Sequence, residues 1–190
     1  MSKNSKKKRA KANTFNQLSP IRYIKENARK LPIYKCLITE AWQEKGVMSI
    51  LVIRRHNSGN YTFASFLVDI TCLGVKDVFF NFNFSDAEFS EFTSQYKDMI
   101  EVDYVLVHNI IYEAIAYAED YGFHPHNNFA IAQYILEEDD DGIEIIDIKM
   151  GGEEGKPFLV EYDAFKFERA RKILDRTAGQ GNYDFIIGYE

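Results

Sequence analysis

Cysteine is almost absent from this chain: Cys36 and Cys72 are the only two. Two thiols make neither a disulfide framework nor a Cys-rich zinc site, and they suit a reducing compartment. Long hydrophobic runs are missing as well. No apolar stretch approaches the roughly 20 residues that a membrane helix needs, and the Lys-rich start passes directly into Asn13-Thr14-Phe15-Asn16-Gln17 with no apolar signal-peptide segment. The expectation is a cytoplasmic protein with no membrane part. Nucleotide fingerprints are lacking too. In Gly151-Gly-Glu-Glu-Gly-Lys-Pro157 the first glycine of a P-loop would fall on Met150, and Pro157 stands where Ser or Thr should bind magnesium, so this reads as a hairpin turn. Gly179-Gln-Gly181 is too short for a dinucleotide-binding turn. The acid run Glu137–Asp141 is followed too closely by Gly142 and Glu144 to form a calcium-binding loop. No cofactor and no metal is expected, and no decisive catalytic signature is present.

What the chain does have is core material and an uneven charge. Hydrophobic residues make up 46% and aromatics 15%, with 15 Phe and 12 Tyr, enough for one globular core in 190 residues. The net charge of −6 hides a strong asymmetry. Residues 1–35 hold 11 Lys and Arg against Glu26 alone, which leaves 12 basic and 28 acidic residues for 36–190. A body that acidic repels phosphate, so attraction to nucleic acid is expected from the first 35 residues.

Met1–Leu18 contains Lys3, Lys6, Lys7, Lys8, Arg9 and Lys11 with almost nothing apolar, and is predicted to be a disordered basic tail ahead of a single domain over 19–190. Ser19-Pro20 starts a short amphipathic helix that ends near Pro32. Strands are predicted at Tyr34–Ile38, Val47–Ile53, Tyr61–Ile70 and Val75–Phe84, with a tight hairpin turn at His56-Asn57-Ser58-Gly59-Asn60. In the last of these, Val78, Phe80, Phe82 and Phe84 form one face. Ser85-Asp86-Ala87-Glu88 reads as a capping box for a helix over 86–99, and Asp103 caps a longer helix running to Tyr121. A third helix is expected at Asn128–Glu137, then strands at Ile143–Ile148 and Phe158–Tyr162, a helix over 164–177 and a last strand at Tyr183–Tyr189. Strands grouped ahead of helices indicate an α+β fold, an antiparallel sheet with a helical layer on one face.

Phe66-Leu-Val-Asp-Ile-Thr-Cys-Leu-Gly-Val-Lys-Asp77, His108-Asn-Ile-Ile-Tyr-Glu-Ala-Ile-Ala-Tyr-Ala-Glu-Asp-Tyr-Gly-Phe123 and the Trp-Gln-Glu-Lys-Gly segment at 42–46 occur in an order that resembles a family of bacterial cytoplasmic proteins with no established activity. The resemblance spans about residues 32–160. It implies a bacterial cytoplasmic setting and a compact domain, and it assigns no role to any residue.

Candidate sites follow from side-chain chemistry. The tail lysines and Arg9 suit phosphate neutralisation, with RNA or a ribonucleoprotein such as the ribosome as partner. This leads to a non-enzymatic interaction module. One alternative is a small hydrolase or transferase using Cys72 as thiolate nucleophile and His108 as base, with Asn109 or Asp77 orienting the imidazole. Another is an acidic adaptor whose loop Glu137–Asp141 meets a basic protein partner. Trp42 is a candidate partner-binding anchor or, alternatively, a core lid. His124 and His126 flank a proline and read as surface residues rather than metal ligands. Tyr61, Phe63, Phe66, Phe80 and Phe82 read as core aromatics rather than a stacking sheet for RNA.

Overall fold

A computed structural model describes residues 19–140, 142–161 and 163–187. The tail over 1–18 and the end of the last predicted strand lie outside the described residues. The fold is α+β. Helix α1 (Pro20–Asn27) begins where Ser19 Oγ accepts from Arg22 N–H at 3.3 Å, and a 3-10 turn over Ala28–Lys30 completes it. Strands β1 (Ile33–Thr39), β2 (Val47–Arg55), β3 (Tyr61–Asp69) and β4 (Gly74–Phe84) follow, with one helical turn, α2 (Trp42–Lys45), between the first two. Next come α3 (Asp86–Thr93), β5 (Met99–Val102), α4 (Tyr104–Asp120) and α5 (Phe129–Ala132). The chain then forms β6 (Phe158–Glu161), α6 (Ala164–Thr177) and β7 (Asp184–Ile187).

The main sheet runs β4-β3-β2-β1-β5, antiparallel throughout. The expected β2–β3 hairpin is present, closed by His56 N–H to Asn60 O at 2.8 Å and Gly59 N–H to His56 O at 2.9 Å. Alternation sorts the sheet residues onto two faces. Met48, Ile50, Val52, Ala64, Phe66 and Val68 face the helical layer, where Ile24 of α1, Ala28 of the 3-10 turn after it, Val107, Ile110, Ile111 and Ala114 of α4, and Phe129 and Ala132 of α5 complete the main core. Leu51, Ile53, Tyr61 and Phe63 face the other way, under Phe89 and Phe92 of α3. The Phe63 ring lies 4.6 Å from that of Phe92 and 5.3 Å from that of Phe89. Full burial of a ring this size stabilises the fold by roughly 2–3 kcal/mol.

Several local expectations are corrected. Phe84 does not share a face with Val78, Phe80 and Phe82. Tyr61 pairs with Phe84 but Phe63 with Asn81, so β4 carries one extra residue there, and Asn83 takes a left-handed φ of 60°. The bulge turns Phe84 onto the α3 side. The helix begun by the Ser85 capping box stops at Thr93, well short of 99, and Asp98 at φ 56° turns the chain into the unpredicted strand β5.

The stretch 143–148 is not a strand. The side-chain amide of Asn109 takes the place of a partner strand, donating to Glu144 O at 2.9 Å and accepting from Ile146 N–H at 2.9 Å. The third helix shrinks to α5 because two arginines bind the carbonyls beyond it. Arg54 donates to Ile135 O at 2.6 Å, and Arg29 donates to Leu136 O at 2.7 Å and to Gln133 O at 3.3 Å. Residues 151–157 form a turn leading into β6 rather than a hairpin.

β6 and β7 stand apart as a parallel pair, because the intervening α6 returns the chain to the end from which it started. Thr71 ties this pair to the main sheet: its O accepts from Phe158 N–H at 2.9 Å and its Oγ1 donates to Phe158 O at 3.0 Å. At the far edge of the main sheet, β4 is capped by loop groups rather than by another strand. His126 N–H donates to Val75 O at 2.9 Å, Asn128 Nδ2 to Val78 O at 2.8 Å, and Val78 N–H is turned onto the Asp77 carboxylate at 2.8 Å.

Candidate functional site

The residues proposed for nucleophilic chemistry are not brought together. Cys72 closes the β3–β4 connection and is fully buried, in a small core with Leu159, Phe167, Leu174 and Tyr183. Its N–H donates to Asp69 Oδ1 at 3.0 Å, so the backbone is pinned and the thiol faces inward. Burial, reinforced by the nearby Asp69, pushes the Cys72 pKa up, and burial takes Cys36 up to about 12. Neither thiol is activated. His108 sits near the start of α4, whereas Gly74, two residues after Cys72, lies against Ala114 and Ala118, six and ten residues farther along the same helix. Those offsets are about 9 and 15 Å of helix rise. The expected exposure of Cys72 at a strand end fails because β6 and α6 fold back over it. Neither proposed orienting residue serves the imidazole: the Asn109 amide is engaged by Val105, Glu144 and Ile146, and Asp77 pairs with His126 at 3.8 Å.

His108 has a setting of its own. It is 2% exposed, its ring lies 5.6 Å from Tyr104 and 4.6 Å from Tyr112, and its Nε2 has no hydrogen-bond partner among the described residues. Beside it a cavity of about 410 Å³ is walled by Tyr112, Glu113, Asp139 and Asp140. Burial lowers the imidazole pKa against the opposing pull of Asp139 and the Glu137–Glu138 backbone. A neutral imidazole beside acidic side chains offers one ring nitrogen, Nε2, for a hydrogen bond or a proton.

The acid run is not simply solvated. Glu137 pairs with the buried Arg54 at 2.6 Å and Glu138 with Arg29 at 2.5 Å, while Asp139 and Asp140 are exposed. Among the described residues of the run, only the latter pair can meet a basic partner without releasing an arginine. Trp42, half-buried on α2, packs against the main core and lines a cleft of about 630 Å³ with Lys45, Thr71, Asp147, Lys149 and Phe158. It is both lid and wall. His124 and His126 lean on different carboxylates, Glu119 at 3.6 Å and Asp77 at 3.8 Å. Among the described residues no group of three or more His, Cys, Asp or Glu is placed to hold a metal ion. Tyr61, Phe63 and Phe66 are buried, and Phe80 and Phe82 pack against the main core. Among the described residues no helix is long and apolar enough to cross a membrane.

Lys3, Lys6, Lys7, Lys8, Arg9 and Lys11 lie outside the described residues. Of the cations between 19 and 35, Arg22 pairs with Glu26, Arg29 with Glu138 and Lys35 with Glu101. The basic character of the first 35 residues is therefore partly spent inside the domain.

A second basic feature escaped the sequence reading. Helix α6 exposes Lys166, Arg169, Lys172 and Arg176, while Phe167, Ala170 and Leu174 are buried on its other side. Among the described residues none of the four has a carboxylate within ion-pair distance, whereas Arg171 on the flank has Glu168 at 3.6 Å. The signal was available in the helical spacing of these cations, and the acid count over 36–190 masked it. No family model, no curated protein and no solved structure matches this chain.

Proposed function

We propose that this chain is a non-enzymatic interaction module whose basic N-terminal arm contacts nucleic acid or a ribonucleoprotein such as the ribosome, in a bacterial cytoplasm. The observation that carries the reading is the charge split, 11 basic residues against one acidic over 1–35 in a chain of net charge −6. Lys-rich arms bind phosphate by counterion release and need no specific geometry. With Arg22, Arg29 and Lys35 committed to ion pairs, eight of the 11 cations are left for phosphate, Lys25 and Lys30 on the domain and Lys3, Lys6, Lys7, Lys8, Arg9 and Lys11 in the arm. The buried thiol of Cys72 gives the hydrolase alternative no support.

The test is co-sedimentation with bacterial ribosomes and with total RNA across a salt series. The full chain is compared with a variant carrying Gln at the six arm positions. Binding by the full chain that weakens steeply with salt and is lost in the variant is the expected result. Equal binding by both would overturn the arm as the contact.

A further inference from the structure

We propose that the outer face of α6, with the groove beside it, is a second phosphate-backbone seat that holds a single-stranded RNA segment on the folded domain. The inference rests on the nucleic-acid reading above and locates part of that contact in the body.

Lys166, Arg169, Lys172 and Arg176 recur at spacings of three, three and four, which places them within about one third of the helix circumference and along about 15 Å of its axis. A row of that length matches a few consecutive phosphates. The groove beside the row, about 480 Å³, runs between Lys166, Arg169 and Ile173 on α6 and Lys76, His124 and His126 opposite. Among the described residues lining it there is no Asp or Glu. In a body where acids exceed bases by more than two to one, a groove that among the described residues is lined by no carboxylate, with the unpaired Lys166 and Arg169 on one wall and Lys76, 4.0 Å from Asp69, on the other, calls for an anionic occupant. The nearest carboxylates each have another group close by, Glu168 with Arg171 and Glu119 with His124 at 3.6 Å and Asp77 with His126 at 3.8 Å, and Glu168 also borders the outer face beside Phe165, Arg169, Lys172 and Arg176.

Phe165 makes the choice among anions. It precedes Lys166 at the start of the row and is 79% exposed, an aromatic ring with no place in the core. A cation row tracking a backbone beside a ring that can stack on a base is how single strands are bound without sequence preference. Duplex bases are already stacked, and an acidic protein surface would leave the ring without a role.

The test is fluorescence anisotropy of a labelled 20-mer oligouridylate with the full chain. It is compared with three variants: the triple variant Lys166→Gln/Arg169→Gln/Lys172→Gln, Phe165→Ala, and the arm variant with six glutamines. Circular dichroism checks that each variant stays folded, as substitution of exposed helical residues by Gln or Ala should allow. Loss of three phosphate contacts should reduce the slope of log affinity against log salt by about 2. The wild-type advantage over the triple variant should therefore shrink about 16-fold between 0.05 and 0.2 M salt. Phe165→Ala should weaken binding about fivefold or more, the low end for one stacked base.

If the triple variant binds like the wild type while the arm variant does not, the α6 seat is overturned and the arm reading stands. The reverse pattern upholds the seat and overturns the arm. No binding by the wild type removes both. Displacement of the oligonucleotide by millimolar inorganic phosphate, with Phe165→Ala unchanged, would make the groove a phosphate site and overturn the strand. Self-association in sedimentation that the triple variant abolishes, with RNA affinity unaffected, would hand the face to the acidic surface of a second copy and overturn the proposal.

Discussion

The guanidinium of Arg54 meets the Glu137 carboxylate at 2.6 Å, and the same side chain, 1% exposed, also donates to Ile135 O and Leu31 O at 2.6 Å each. One arginine from β2 thereby clamps both the turn after α1 and the turn after α5 onto the end of the sheet. Arg54→Leu would leave two buried carbonyls without donors. An expected loss of about 3–5 kcal/mol follows, measured by urea unfolding. Glu137→Gln leaves the buried Arg54 guanidinium without its counter-charge but keeps an amide oxygen to accept from it at a site 39% exposed, and should cost less, about 1.5–3 kcal/mol. Equal costs for the two would show that the ion pair, and not the carbonyl contacts, makes the clamp.

The buried thiols predict chemical silence. Native protein at pH 8 should react with iodoacetamide at neither Cys36 nor Cys72, and both should react in denaturant, because the neutral thiol is held far above its usual range. Rapid alkylation of Cys72 in the native state, read by peptide mass, would contradict the buried placement and reopen a catalytic role.

Gly74 and Gly59 make an informative pair. Both take positive φ, 66° and 94°, but a Cβ on Gly74 would lie 2.8 Å from Ala118 Cβ and 2.9 Å from Ala114 O, whereas one on Gly59 would meet nothing within 4 Å. Gly59→Ala should cost about 1 kcal/mol for the strained backbone. Gly74→Ala should cost more, roughly 3 kcal/mol, because the β4 start and α4 must also separate. Similar thermal shifts for the two would mean that α4 does not press on the start of β4 at Gly74.

Stability should fall on mild acidification. His56 and His108 are buried and held below the usual imidazole pKa. For each, the unfolded chain takes up a proton first, so the stabilisation is complete above the unfolded value of about 6.5 and is lost as pH drops through the folded one. Asp69 works in the opposite direction, since burial raises its carboxyl pKa and its ionised form is the costly one. The quantity to compare is therefore the change in urea midpoint between pH 8 and 5 for wild type and for His108→Gln. The variant should show the flatter profile, and identical profiles would show that His108 does not titrate with folding.

How much of this was legible depended on the range of the forces. The Ser19 and Ser85 caps, the 56–60 hairpin and the α4 stripe are set by neighbours a few residues apart, and the sequence reading placed them well. β5 was not legible, since four residues with two exposed carry little pattern and owe their strand state to pairing with β1. The shortened α5 and the non-strand at 143–148 were hidden for the same reason: Arg54, Arg29 and Asn109, distant in sequence, took the hydrogen bonds that regular structure would have used. Of the candidate sites, Cys72 looked accessible because nothing local reveals that the C-terminal segment covers it. The α6 cations were readable from spacing alone and were missed because charge was summed over the whole body.

The capped edge at β4 limits how this protein can meet anything else. With Val75 O, Val78 O and Val78 N–H already satisfied by His126, Asn128 and Asp77, and with the strand kinked at Asn83, an incoming extended peptide finds few main-chain groups to zip onto. The opposite edge, β5, offers only four residues. Extension of the main sheet is thus disfavoured as a mode of recognition and as a seed for fibrils, which shifts partner choice there to side chains and charge.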